Sequence, residues 1–98
     1  GKGSAGYSVG DFSIPSLKLI LEVKYVAEKG DVKARANEIS EDIWKYGKQT
    51  DCQCMVFFVY DPKLLIADRI NFARMSSATS GEFKAAGREI EVITVVKP

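Results

Sequence analysis

Leu17-Lys18-Leu19-Ile20-Leu21-Glu22-Val23-Lys24-Tyr25-Val26 is an apolar run whose three charges all fall at even positions. Side chains of a strand alternate between two faces. Leu17, Leu19, Leu21, Val23 and Tyr25 therefore make one face, the expected core face. Lys18, Ile20, Glu22, Lys24 and Val26 make the other, with charges set between apolar neighbours. Just upstream, Tyr7–Ile14 also reads as a strand, and Pro15-Ser16 marks a turn between the two.

Asp11 lies in that first strand, with ten residues between it and Glu22. A two- or four-residue hairpin loop, with Ile14 opposite Leu17, puts Asp11 opposite Ile20 and on the same face as Glu22, diagonal to it. Such diagonals span about 7–8 Å. An odd-length loop would send Asp11 to the opposite face. Two carboxylates reaching one point from either side suit a hard divalent cation, which takes oxygen ligands and keeps several waters. The backbone carbonyl of Val23 is a candidate third ligand, and Lys24 could orient a water or neutralise a phosphate. An isolated E-x-K on a strand, by contrast, is most often an exposed ion pair of little energetic weight. The upstream Asp is what lifts this one above that reading.

The ordered segments Asp11-Phe12-x-x-Pro15, Glu22-Val23-Lys24-Tyr25, Asn37-Glu38-Ile39-x-Glu41-Asp42-Ile43-x-x-Tyr46 and Val59-Tyr60-Asp61-Pro62 resemble the PD-(D/E)XK nuclease superfamily. The closest likeness is to the restriction-endonuclease-like module at the C-terminus of certain bacterial restriction and defence proteins. It covers residues 11–62 and, more loosely, the stretch to Pro98. The resemblance implies that Asp11 and Glu22 bind metal, Mg²⁺ or Mn²⁺ in its place, and that Lys24 is catalytic. Gly10 stands where the superfamily has Pro, and only Gly1–Gly6 precede the first strand, so the helix on which many members carry a further acidic residue is missing or was cut away.

From Asp31 to Tyr46, Val32, Ala36, Ile39, Ile43 and Tyr46 form a helical stripe. Asp31 is the expected N-cap and Gly47 the expected C-cap. Arg35, Glu38, Glu41, Asp42 and Lys45 fill the other face and read as solvated. Glu38 borders the stripe and is an auxiliary candidate for the metal face. Tyr25 and Tyr46 read first as core packing, then as substrate contacts. Cys54–Tyr60 and most of Ile90–Val96 are apolar on both faces, as in sheets covered on both sides. Leu64–Met75 reads as a second cover, although Asp68, Arg69 and Arg74 break its periodicity. Residues 76–87 read as a loop, or a short helix at Gly81–Ala86. Asp61-Pro62 ends a strand and turns. The expected architecture is an α/β, restriction-endonuclease-like mixed β-sheet flanked by helices, in the order strand, strand, helix, strand, helix or loop, strand.

Composition agrees with one domain at residues 7–98, part of a larger protein. Residues 1–6 read as a linker. A 98-residue chain buries only about 60–65% of its unfolded surface, and 46% hydrophobic residues suffice for a packed core. Cys52 and Cys54 are too far apart on a strand for an easy bridge, and no His and only two Cys argue against a zinc site. Two free thiols and the absence of a signal or transmembrane run point to the cytoplasm. A net charge of only +1 is small for a nucleic-acid binder. Lys29, Lys33 and Arg35 are the candidate backbone contacts. Two functions follow: a Mg²⁺-dependent endodeoxyribonuclease for restriction or anti-phage defence, or a non-catalytic nuclease-fold module for DNA binding or assembly. DNA is the expected partner and a membrane is not. A homo-oligomer or partner domains would complete the assembly.

Overall fold

The structure, a computed structural model, describes residues 8–48, 51–75 and 87–98. The expectations for residues 1–6 and for a short helix at 81–86 lie outside the described residues. Four strands form one sheet in the order β1 (Ser8–Ile14), β2 (Leu19–Tyr25), β3 (Cys54–Tyr60) and β4 (Glu91–Lys97). The β1–β2 hairpin is antiparallel, and β3 and β4 join in parallel. Helix α1 (Lys29–Gly47) links β2 to β3, and a helical segment at 69–75 lies between β3 and β4. The order of elements and the mixed, helix-flanked sheet are those expected from the sequence.

The hairpin turns through a 3-10 turn at Pro15–Leu17 and through Lys18, which adopts the left-handed conformation at φ 51°. Ile14 consequently pairs with Leu19, two residues later than expected, and Asp11 stands directly opposite Glu22 rather than diagonal to it. The four-residue connection preserves the parity that keeps both acids on one face.

The buried face of β2 is the reverse of the expected one. Glu22, Lys24 and Val26 are buried, whereas Leu19, Leu21, Val23 and Tyr25 are half-buried and Leu17 is exposed. The cause lies in α1. Its apolar stripe, Ala36, Ile39 and Ile43, joins Val26, Met55, Phe57 and Val59 in the core. The polar residues beside that stripe meet Glu22 and Lys24, so charge is matched where it is buried. Among the described residues, cover lies on this side alone. On the other face Tyr25 stacks on Tyr60 at 5.7 Å between centroids, and Phe58, Tyr60 and Ile93 are partly exposed.

α1 starts earlier than expected. Glu28 is the N-cap, and Asp31 at the third helical position accepts the amides of Ala27 (2.9 Å) and Glu28 (3.0 Å). These two backbone hydrogen bonds hold the Asp31 carboxyl below its ordinary value. Gly47 is the last helical residue, Lys48 is the C-cap, and the Arg88 guanidinium donates to the Gly47 carbonyl. In the 64–75 stretch Asp68, one of the charges that break the periodicity, marks a helix start. Asp68 accepts the Asn71 amide at 2.8 Å, and Ile66 and Phe72 enter the core. Both cysteines are free.

Asp61 does more than end a strand. It is 1% exposed, and its carboxylate accepts the amides of Leu65 and Ile66, each at 2.9 Å. Asp61→Ala would leave two N–H groups without partners, at a loss of about 1–3 kcal/mol for each one that stays buried. Urea denaturation is expected to show a lower midpoint, and an unchanged midpoint would refute this role.

Candidate active site

Neighbouring strands bring Asp11 and Glu22 together. Side chains directly opposite in an antiparallel pair have Cβ atoms about 5 Å apart, and Asp11 and Glu22 are such a pair. Glu22 is 4% exposed while Asp11 is exposed, so the pair runs from the buried interior to the surface. A cavity of about 280 Å³ lies there, lined by Asp11, Phe12, Ser13, Ile20 and Tyr46.

Lys24, two residues along β2, is also 4% exposed. Its Nζ lies 2.8 Å from Asp42 Oδ2, 3.2 Å from Glu22 Oε1 and 3.5 Å from Glu38 Oε1. A buried lysine is tolerable only with such partners. Burial alone would lower its pKa, but the hydrogen bond and charge of Asp42, with Glu22 behind them, outweigh it and push the ammonium up. Glu22 moves the same way. Burial, reinforced by the Asp42 carboxylate, pushes its carboxyl up, and Lys24 offsets this only in part. Burial and then the Glu22 charge push the Tyr46 phenol up to about 12, with Asp42 and Asp11 adding to it. Tyr46 therefore keeps its proton near neutrality, and its hydroxyl interacts with the Glu22 carboxylate.

One face of α1 supplies these neighbours. Asp31, Arg35, Glu38, Asp42 and Tyr46 recur every three or four residues, a second stripe beside the apolar one. Arg35 was expected on the solvated face as a nucleic-acid contact. It is instead 3% exposed, donating to the Tyr25 carbonyl at 2.9 Å, to Asp31 at 3.3 Å and to Glu38. With its guanidinium enclosed, it braces α1 against β2. Asp42, read as solvated, is Lys24's nearest partner. Glu38 does lean inward, as an ion-pair partner of Lys24 and Arg35. Lys29 and Lys33 are exposed beside a separate cavity at the α1 N-terminus, lined also by Ile66 and Phe72.

The donor set is all oxygen, suited to a hard divalent cation. Three carboxylates, Glu22, Glu38 and Asp42, surround the Lys24 ammonium, with Asp11 across the hairpin from Glu22, and burial, reinforced by the Asp42 carboxylate, raises the Glu22 pKa. These residues fit Mg²⁺ in charge. Among the described residues no cluster of three or more Asp, Glu, His or Cys side chains is arranged to chelate a metal. Two carboxylates would have to be completed by backbone and water. No helix among the described residues is long and apolar enough to cross a membrane.

Comparison with curated proteins and with solved structures gave no match. The family model described as REase DpnII-MboI matches residues 3–98, nearly the whole sequence. Restriction endonucleases are DNA-cleaving hydrolases, and the mixed sheet with its flanking helices agrees with that match. The chain belongs to the DpnII-MboI restriction endonuclease family.

Proposed function

We propose that this domain is a Mg²⁺-dependent endonuclease that hydrolyses DNA phosphodiesters, in restriction or anti-phage defence, with Asp11, Glu22 and Lys24 as its catalytic residues. The observation that carries this reading is the direct pairing of Asp11 with Glu22, with Lys24 Nζ 3.2 Å from Glu22. Asp11, Glu22 and the Val23 carbonyl would hold Mg²⁺, or Mn²⁺. When bound, the cation would supply Lewis acidity at the phosphate and acidify an attacking water.

The protein residues do the positioning. Lys24, as an ammonium, donates to the attacking water or to a non-bridging phosphate oxygen. Asp42 holds the Lys24 side chain by its 2.8 Å contact, and Glu38 limits its swing from the other side. Tyr46, protonated, keeps Glu22 turned toward Asp11. Lys29 and Lys33 remain candidate backbone contacts, whereas the enclosed Arg35 does not. One site per chain means that cutting both strands calls for a second copy or a partner domain.

Supercoiled plasmid incubated with Mg²⁺, Mn²⁺ or EDTA tests this, with Asp11→Asn alongside. Asp11 is exposed, so the variant should fold as the parent does. Nicking or linearisation is expected only with metal, and removal of one group stabilising transition-state charge should lower it by about a hundredfold or more. Metal-independent cleavage, or full activity in Asp11→Asn, would refute the assignment. No cleavage under any condition would favour the non-catalytic module.

A further inference from the structure

The cavity at Asp11 does not stand alone. A second cavity, of about 470 Å³, is lined by Ser13, Pro15, Lys18, Ile20, Asp51 and Cys52 among others. The two share Ser13 and Ile20, which are register partners across the hairpin. Together they make one groove on the α1 side of β1 and β2, from the candidate active site to the hairpin turn. Lys18 lies four residues from Glu22, about 13 Å of strand and roughly four base steps of duplex at about 3.4 Å each.

Lys18 is an unusual residue for its position. It sits in the left-handed region (φ 51°, ψ 42°), which disfavours an L-residue by about 1–2 kcal/mol, and Gly would avoid that. The backbone there is firmly held. The Lys18 amide donates to the Pro15 carbonyl at 3.0 Å, and its own carbonyl accepts the amides of Gln53 (2.9 Å) and Cys54 (3.2 Å). The ammonium is exposed and has no carboxylate within ion-pair distance among the described residues. A strained, rigid backbone thus presents a free cation to a groove that runs to Asp11. Asp51 lines the same groove and disfavours a second phosphate beside the first.

We infer that this groove takes the DNA strand flanking the scissile phosphate, with the Lys18 ammonium on one backbone phosphate. This rests on the nuclease reading above and extends it to a substrate-positioning site. Contact with a single phosphate fixes register without reading sequence.

Lys18→Gly removes the charge and relieves the backbone at once, so it should melt no lower than the parent. Binding of a fluorescent mixed-sequence DNA duplex to the 98-residue chain would be followed by anisotropy across a salt series, in Ca²⁺ and again in EDTA. Lys18→Gly is expected to bind several-fold more weakly at low salt, and its slope of log K against log salt should shrink by about 0.9, the value of one phosphate contact. Lys18→Arg should bind as the parent does. If the parent binds and Lys18→Gly matches it in affinity and slope, the inference fails while the nuclease reading stands. If the parent binds duplex in neither condition, both fail.

Discussion

Lys24→Ala is expected to lower plasmid nicking by about two to four orders of magnitude, the range for a positioned donor or general acid–base group. It should also unfold more easily. Lys24 Nζ lies within 3.5 Å of Glu22, Glu38 and Asp42, and its removal takes the cation from beside Glu22 and Asp42 beneath α1, whereas Glu38 keeps Arg35. Breaking a buried pair by deleting one partner destabilises by about 3–5 kcal/mol. The figure should fall toward the lower end here, because Asp42 and Glu38 keep 20% and 35% of their side chains exposed and can recover water. Lys24→Ala is therefore a poor probe of catalysis unless folding is followed beside it. The double variant Glu22→Gln/Lys24→Met separates the two effects. With the most buried carboxylate neutralised, it should recover much of the lost stability in urea while remaining inactive. Parental nicking by Lys24→Ala would remove Lys24 from the chemistry. Parental stability would mean that the three carboxylates do not depend on it.

The apolar run from Leu17 to Val26 was legible as a strand because alternation survives in the letters alone, and Asp11 was legible as a partner of Glu22 because any even-length turn preserves parity. The register was not. It depends on Lys18 entering the left-handed region, a conformation its side chain does not advertise. The buried face was also misread, for a definite reason. Four apolar residues on one side of β2 outvote Glu22 and Lys24 on the other only if burial is judged strand by strand. α1 reverses the vote by bringing Asp42 and Glu38 to Lys24, and Arg35 to the end of β2. The stripe Asp31, Arg35, Glu38, Asp42, Tyr46 stood in the sequence at helical spacing, so the signal existed. Without knowing which strand lies under α1, charged residues next to an apolar stripe read as solvated. Asp42 and the enclosure of Arg35 were missed on that account.

Glu22→Gln is expected to abolish metal-dependent cleavage and yet to stabilise the metal-free domain near neutral pH. Burial, with Asp42 nearby, raises the Glu22 pKa in the folded chain. A carboxyl raised on folding favours the folded state below its unfolded pKa and loses that contribution as pH rises through its folded pKa. At neutral pH the ionised Glu22 thus works against folding, and Gln reproduces the neutral form in nearly the same shape. Lys24, also raised, stays charged throughout this range and gives up its contribution only above its ordinary value, so it does not obscure the comparison. In EDTA, urea denaturation should find the variant more stable than the parent at pH 7. The gap should close as pH falls below the range in which Glu22 ionises. Titration with Mg²⁺ should then reverse the order. A cation that binds only the folded parent stabilises it by about 2.7 kcal/mol at a hundredfold excess over Kd, whereas Glu22→Gln, lacking one of the two proposed carboxylate ligands, should gain far less. A variant less stable than the parent in EDTA would mean that Glu22 is held in place for the fold. Equal stabilisation of both proteins by Mg²⁺ would put the cation elsewhere. The expected pair of results ties the instability of the buried acid to the affinity of the site, since the buried charge that opposes folding is the charge a divalent cation would neutralise.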